Sequence, residues 1–82
     1  MKYDVRFKPR AIKDIEGLRS RVQGRVLARI EEVSDDLKGD VKRLTNSTPE
    51  YRLRVGDFRV LFEIERETII IYRIRHCREA YR

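Results

Sequence analysis

The sequence has little cysteine or histidine, with one residue of each, Cys77 and His76. A single cysteine excludes an internal disulfide bond and is typical of proteins from a reducing compartment. A closed structural zinc site needs clustered Cys and His ligands, and this chain lacks them. We therefore expect neither a metal nor another cofactor.

Long apolar runs are also missing. No stretch approaches the roughly 20 apolar residues of a membrane-spanning helix, and no apolar signal core follows the start of the chain. We expect a cytoplasmic protein that does not bind a membrane. No repeat, low-complexity tract or linker is visible, so residues 1–82 are predicted to form one domain. At this length a domain buries about 60% of the surface that its unfolded chain exposes.

Charge, by contrast, is abundant. Charged residues make up 41% of the chain and hydrophobic residues 40%, which indicates a globular domain with a strongly charged surface. Twenty Lys and Arg oppose fourteen Asp and Glu, giving a net charge of +6. Such a surface favours an anionic partner, either nucleic acid or an acidic protein, and charge alone does not choose between them.

Residues 51–62 are predicted to form a hairpin at the centre of the fold. Apolar and polar residues alternate on both sides of Gly56-Asp57, a dipeptide favoured in two-residue turns. Such a turn pairs apolar residues on one face: Val55 with Phe58, Leu53 with Val60 and Tyr51 with Phe62. That face is therefore predicted to lie in the core.

The other face of the hairpin carries Arg52, Arg54 and Arg59. In this register Arg54 lies directly across from Arg59, and like charges so placed destabilise a sheet by up to about 1 kcal/mol. Two interpretations stay open. The guanidinium groups extend into solvent or pair with carboxylates, or together they bind phosphate, which suits their forked donors.

The segment before the hairpin predicts one strand and two helices. Residues 2–7 alternate as a half-buried strand does, and Pro9 suits the first turn of a helix that ends between Gly17 and Arg19. Ser20-Arg21-Val22-Gln23 has the form of a capping box that opens a second helix of about four turns. The apolar positions of this second helix recur every three or four residues: Val22, Val26, Ile30, Val33 and Leu37. Residues 38–49 are predicted to be a surface loop.

The segment after the hairpin, residues 69–75, predicts a further strand through its β-branched residues. If residues 65–67 form a three-residue loop, Arg73 falls opposite Arg59 and joins Arg75 on the cationic face. That register leaves Ile70, Tyr72 and Ile74 in the core, and we prefer it because it pairs apolar with apolar residues. A two-residue loop would exchange the two faces.

The predicted fold class is therefore α+β. It consists of an N-terminal strand, a two-helix hairpin and a three-stranded antiparallel meander, in the order β-α-α-β-β-β. The helices cover one face of the sheet, and the arginines occupy the open face.

With this layout, residues 51–62 and the terminal Arg-His-Cys-Arg-Glu-Ala-Tyr of residues 75–81 resemble the RelE family of bacterial toxin–antitoxin systems, within the RelE/ParE superfamily. The resemblance covers nearly the whole chain, and its most specific parts are the hairpin and the terminal His-x-Arg-Glu-x-Tyr. It implies a toxin that cuts messenger RNA in the ribosomal A site. It also implies three partners, namely the ribosome, the messenger and a RelB-like antitoxin.

The resemblance assigns catalytic roles by position. Basic residues of the family's second strand correspond to Arg52 and Arg54, and the arginine after the turn corresponds to Arg59. A tyrosine thought to stack on an RNA base corresponds to Tyr81. The full set of expected catalytic residues is Arg52, Arg54, Arg59, Arg78 and Tyr81.

The chain departs from the family where relatives commonly read His-Arg-Arg-Glu. Here Cys77 stands in place of an arginine, so either this copy is weakened or Arg78 takes over the role. RNA binding is expected of Arg73, Arg75 and His76, although His76 is equally consistent with a structural residue at the end of a strand. Glu50, just before the strand, is a candidate base, with a solvated loop carboxylate as the preferred interpretation.

The chemistry needs no metal, because the RNA 2′-hydroxyl can attack the adjacent phosphorus. The protein must align that oxygen, stabilise charge on the phosphorane and help protons move. Arginines suit the second task and, with a pKa above about 12, serve poorly as bases. Two other classes stay open: a ParE-like toxin that inhibits gyrase by binding, and a nucleic-acid-binding module without catalysis.

Overall fold

The computed structural model describes residues 2–44 and 48–77. Over these residues the elements are β1 (Asp4–Phe7), α1 (Pro9–Glu16), α2 (Ser20–Ser34), β2 (Val41–Arg43), β3 (Tyr51–Val55), β4 (Phe58–Glu65) and β5 (Thr68–His76). The α+β class and the order of strand, helices and further strands are confirmed. Within the described ranges, neither helix is long and apolar enough to cross a membrane.

The strands form one mixed sheet rather than a separate three-stranded meander. Its order is β1-β5-β4-β3-β2, with β1 parallel to β5 and the other pairs antiparallel. The predicted meander is thus the middle of a five-stranded sheet. The β1–β5 pair joins the two ends of the chain, which no local pattern specifies. The β2 strand is only three residues long and lies in the segment predicted to be a loop.

The register of the β3–β4 hairpin is the predicted one. The Cα partners are Tyr51–Phe62, Arg52–Leu61, Leu53–Val60, Arg54–Arg59 and Val55–Phe58. The turn begins at Gly56, whose φ of 58° is a left-handed conformation that glycine adopts without strain. Arg54 and Arg59 therefore do lie across from one another.

The register predicted for β5 is wrong. The turn after β4 has two residues, Arg66 and Glu67, because Glu65 already pairs with Thr68. A β-bulge then shifts the register between Leu61 and Phe62: Phe62 pairs with Ile71 and Leu61 with Arg73. Tyr72 is the extra residue. The shorter turn and the bulge together shift the pairing by two residues from the predicted one, so Arg75 rather than Arg73 is opposite Arg59.

The same bulge changes the predicted core of β5. The buried residues are Ile69, Ile71 and Ile74, whereas Ile70 and Tyr72 are only half-buried. Of the three residues predicted to be in the core, only Ile74 is confirmed. The bulge thus keeps isoleucines in the core on both sides of a change in register.

The helices begin and end close to the predicted residues. Gly17 caps α1, and its N–H donates to the carbonyl oxygen of Lys13 at 3.1 Å. The predicted capping box is wrong, because Arg19 is the N-cap of α2 and no side chain caps it. Gln23 instead donates from Nε2 to the carbonyl oxygen of Ile15 at 2.9 Å, joining the start of α2 to the end of α1.

Both helices cover the same face of the sheet. They contribute Ala11, Val26, Ile30 and Val33 to a core completed by Leu53, Val55, Val60, Phe62, Ile69, Ile71 and Ile74. Because side chains alternate along a strand, the intervening residues of β3 and β4, and Arg75 of β5, lie on the opposite face, which neither described helix covers and which we call the open face. The central hairpin therefore presents its arginines away from the helices.

Candidate functional site

Three arginines from three adjacent strands form what we call the cationic row. Arg54 of β3 is paired with Arg59 of β4, and Arg59 is paired in turn with Arg75 of β5. Opposed residues in antiparallel strands have Cα atoms about 4.5–5.5 Å apart, so the row spans about 10 Å. Arg54 is exposed, and Arg59 and Arg75 are half-buried. The sheet thus places three arginines side by side on adjacent strands.

The row carries an energetic cost in the isolated protein. Like charges directly opposed across strands are destabilising, and here two such pairs share Arg59. In addition, the Nε atom of Arg75 is buried and makes no hydrogen bond within the described residues. A buried donor without an acceptor costs about 1–3 kcal/mol. An anion bound at the row would offset both the repulsion between the arginines and the cost of the buried donor.

Arg52 lies beside the row on the same face. Its side chain is only 12% exposed, and one terminal nitrogen is 3.8 Å from Oδ2 of the exposed Asp40. The strand neighbours of Arg52 are Lys42 on one side and Leu61 on the other. An ion pair this long with an exposed partner contributes little, so Arg52 still adds positive potential near the row.

Arg73 is held by a carboxylate from α1. Its Nε donates to Oδ2 of Asp14 at 2.8 Å, and a terminal nitrogen donates to Oδ1 at 3.4 Å. Oδ2 also accepts the backbone N–H of Ile74 at 2.9 Å. Burial tends to raise the pKa of Asp14, but the bonds from Arg73 and Ile74 and the charges of Arg73 and Arg10 outweigh it and lower that pKa. The structure therefore does not bring the Arg73 guanidinium into the cationic row.

His76 lies on the helix-covered face. It is the strand partner of Phe58, and the two rings meet edge-to-face with centroids 5.1 Å apart. Phe58 packs against the core, so the imidazole is on the opposite side of β5 from the Arg75 side chain. Cys77 follows, and its N–H donates to the carbonyl oxygen of Asp57 at 2.7 Å. Arg78 and Tyr81 lie outside the described residues.

Glu50 is engaged at the far end of β3 from Arg54. Its carboxylate accepts a hydrogen bond from Arg43 at 2.9 Å, an interaction that raises the pKa of Arg43. Its own backbone N–H donates to a carboxylate oxygen of Glu63 at 2.6 Å. Glu50 thus lies just before β3 with its carboxylate paired to Arg43. Among the described residues, no cluster of His, Cys, Asp and Glu has the form of a metal site.

Two basic residues near the site were not predicted from the sequence. Lys42 is exposed and pairs with Arg52, but it belongs to a strand too short for its alternation to be recognised. Arg25 of α2 lies beside the hairpin turn, where a Cβ built on Gly56 would be 3.7 Å from one of its terminal nitrogens. In the sequence Arg25 is simply one member of a charged helix face. Its proximity to the turn depends on the packing of the helix.

The fold is shared with chains from crystallised antitoxin–toxin complexes. The RelBE2 complex from Mycobacterium tuberculosis contains a chain that matches with a TM-score of 0.80 and 26% identity, covering 93% of this chain and 99% of that chain. The RelB–RelE complex from Methanococcus jannaschii gives a TM-score of 0.77 and 29% identity, covering 93% and 94% respectively.

The family is given by the sequence match. A family model described as the ParE toxin of the type II toxin–antitoxin system parDE matches residues 5–81, and the chain belongs to this family, within the RelE/ParE superfamily of toxins. A curated relative, Toxin RelE3 from Methanocaldococcus jannaschii, is 32% identical over 82 residues, covering 94% of this chain and 93% of the relative. The resemblance noted in the sequence is thereby confirmed.

Proposed function

We propose that this toxin is a ribosome-dependent endoribonuclease that cuts messenger RNA in the ribosomal A site. The observation that carries the proposal is the cationic row of Arg54, Arg59 and Arg75, fixed by strand pairing on the open face of the sheet. Rigid strands hold the three side chains at set spacings, so binding a phosphodiester there requires little reorganisation. The relative named RelE3 and the matching chains from RelB–RelE complexes support the same function.

In the proposed reaction the 2′-oxygen of one nucleotide attacks the adjacent phosphorus. The P–O bond to the 5′-oxygen of the next nucleotide breaks, which leaves a 2′,3′-cyclic phosphate and a 5′-hydroxyl. The 2′-hydroxyl loses its proton and the leaving oxygen gains one. Negative charge grows on the non-bridging oxygens in the transition state, and preorganised guanidinium donors are well suited to stabilise it.

The roles divide between the described residues and those carried over by resemblance. In the proposal Arg54 and Arg59 contact the phosphate that is cut, and Arg75 supplies a third guanidinium from the next strand. Arg52 adds positive potential beside them. Arg78 and Tyr81 keep the roles implied by the family, with Arg78 supplying charge and Tyr81 stacking on a base.

An antitoxin is the expected protein partner. The matching solved structures are RelB–RelE and RelBE2 complexes, in which a toxin is bound to its antitoxin. This chain has a net charge of +6 and an open basic sheet face. We therefore expect an acidic or amphipathic antitoxin segment that wraps the helices and covers or distorts the cationic face, folding as it binds.

A second candidate function is inhibition of gyrase by binding, because the family model that matches residues 5–81 carries the name of the ParE toxin. A toxin of this kind would keep the fold and need no catalytic arginine, and Cys77 stands where RelE relatives commonly have one. The RelE name of the curated relative favours the nuclease.

One pair of assays separates the two functions. The purified toxin is added to a translation reaction, and primer extension on the messenger locates any cuts relative to the ribosome. A supercoiling reaction with gyrase is run in parallel. The nuclease proposal expects cuts in A-site codons only when ribosomes are translating, with supercoiling unaffected. Loss of supercoiling with an intact messenger would instead support the gyrase toxin.

A further inference from the structure

One edge of β5 is paired with β1 over its first half and is contacted by α1 beyond that, just before Arg75. β1 pairs with β5 only as far as Phe7 and Ile71, and the next N–H of the chain after β1, that of Lys8, donates to the carbonyl oxygen of Ile71 at 2.9 Å. Beyond this point α1 rather than a strand lies against β5. The edge N–H of Ile74 is taken by a side chain of that helix, Asp14.

The carboxylate of Asp14 binds two consecutive residues just beyond the bulge. Oδ2 accepts both the Nε–H of Arg73 and the N–H of Ile74, at 2.8 and 2.9 Å. The Asp14 side chain is 19% exposed and that of Arg73 is 28% exposed, so the contact is largely shielded from solvent. Charge-assisted bonds of this length to a backbone amide hold the main chain as well as a side chain.

The position of the bulge decides which face Arg75 occupies. With the bulge at Tyr72, Arg75 is paired with Arg59 on the open face. Without it, the two-residue turn would pair Arg59 with Ile74, and Arg75 would point toward the helices, since a one-residue shift exchanges the faces of a strand. Asp14 holds the first main-chain N–H after Arg73. The hydrogen bond from Cys77 to Asp57 holds the other end of the same short segment.

We infer that Asp14 is a positioning residue, which places Arg75 in the cationic row by fixing the main chain at Ile74. The inference rests on the proposed nuclease function only for its effect on cleavage. Its structural part, the dependence of Arg75 on Asp14, stands without that function. Arg73 then serves as part of the clamp rather than as an RNA contact.

The test uses Asp14→Ala, Asp14→Asn and the control Glu16→Ala on the full chain. Glu16 is exposed on the same helix, and no hydrogen bond or ion pair joins its side chain to another of the described residues. The first readout is NMR: amide exchange of Ile74 and the Nε–Hε signal of Arg75. We expect Asp14→Ala to accelerate exchange at Ile74 at least tenfold and to move the Arg75 signal, while Glu16→Ala leaves both unchanged.

The Asn variant separates a positioning role from simple destabilisation. Its amide oxygen can still accept the N–H of Ile74, so it should keep more of the Ile74 protection and of the Arg75 signal than Ala does. If Asp14→Ala does not fold, Asp14→Asn decides the matter. An Asn variant whose Ile74 and Arg75 signals match those of the unchanged chain supports a main-chain clamp, whereas signals lost throughout the protein overturn it.

The second readout is the rate of cleavage on translating ribosomes, at a temperature where every variant is folded. A displacement of about 1 Å in a reacting group can cost a hundredfold in rate, so Asp14→Ala should cut between about ten and a hundred times more slowly at saturating ribosomes. The ribosome concentration that gives half the maximal rate should change by less than about twofold, since Asp14 is not proposed to contact RNA. An unchanged rate with a folded Asp14→Ala protein would overturn the positioning role.

The two readouts distinguish a failure of the proposed nuclease function from a failure of the inference about Asp14. If neither the unchanged chain nor its Cys77→Arg variant cuts messenger, the proposed function fails, and the NMR comparison still decides whether Asp14 sets the position of Arg75. If the unchanged chain cuts and the Arg75 signal does not respond to Asp14→Ala, the nuclease stands and this inference is wrong.

Discussion

Replacing Arg75 with leucine should show separately how the cationic row affects the stability of the fold and how it affects RNA cleavage. The change removes one of the two like-charge pairs that share Arg59, and it removes a buried Nε donor that lacks an acceptor among the described residues. The first term is about 0.2–1 kcal/mol and the second about 1–3 kcal/mol. Against these stands the loss of packing by the longer arginine stem, which leucine replaces only in part.

We therefore expect Arg75→Leu to be at least as stable as the unchanged chain, with a gain of about 1 kcal/mol. For a domain of this size that gain corresponds to a rise in Tm of roughly 4–8 °C. Cleavage on translating ribosomes should fall by about a hundredfold or more, the usual cost of removing one donor to a developing oxyanion. Calorimetry measures the first effect and primer extension over time measures the second.

The matched control is Arg6→Leu on β1. Arg6 is an exposed strand arginine whose partner is Ile70 rather than another arginine. Its replacement removes the same charge but relieves no cross-strand repulsion, so stability should change by less than about 0.5 kcal/mol and cleavage little. If the unchanged chain cuts too slowly to measure, the comparison is made in a Cys77→Arg background. A Tm that falls by several degrees in Arg75→Leu, with the control unaffected, would make Arg75 a structural residue and refute the argument.

Three further outcomes follow from the same structure. Cys77→Arg should raise ribosome-dependent cleavage and toxicity, unless Arg78 already supplies that charge, in which case Arg78→Ala alone abolishes cutting. Because the folded-state pKa of Asp14 is lowered from 3.8, its carboxylate stabilises the fold above that pH and ceases to do so as pH falls through the lower folded value. Asp14→Asn should thus be less stable than the unchanged chain at pH 7, and the difference in free energy of unfolding should shrink in acid titrations below about pH 3.8. Antitoxin binding measured by calorimetry should keep most of its affinity at moderate salt, and its complete loss there would show a purely electrostatic interface.

The hairpin could be predicted because its information is local. A two-residue turn and strict alternation determine the register of β3 and β4, and the opposed arginines follow from that register alone. The pairing of β1 with β5 could not be predicted in the same way. Two half-buried strands far apart in the sequence offer many possible partners, and the choice depends on where the helix pair returns the chain.

The bulge explains why Arg75 lies on the predicted face although the predicted register of β5 is wrong. Arg75 was expected on the cationic face by way of a three-residue loop, and it is there by way of a two-residue turn and an extra residue at Tyr72. The shorter turn and the bulge each shift the register by one residue in the same direction, and a total shift of two residues leaves Arg75 on the predicted face with a different partner. Ile70 lies before the bulge, so only the shift of one residue applies there, and Ile70 leaves the core.

The sequence alone gives no sign of a bulge, because Ile69, Ile70 and Ile71 are consecutive and either face of this part of the strand can pack in the core. The carboxylate of Asp14 reaches from α1 to the N–H of Ile74, and we infer that this contact from outside the sheet selects the register. A toxin that bears opposed arginines needs a device that holds them in place against their repulsion. In this chain the strand pairs of the hairpin hold Arg54 and Arg59, and Asp14 does the same for Arg75. The position of the third arginine is therefore a property of the packing between helix and sheet, and mutations of α1 are the means to vary it independently of the arginines themselves.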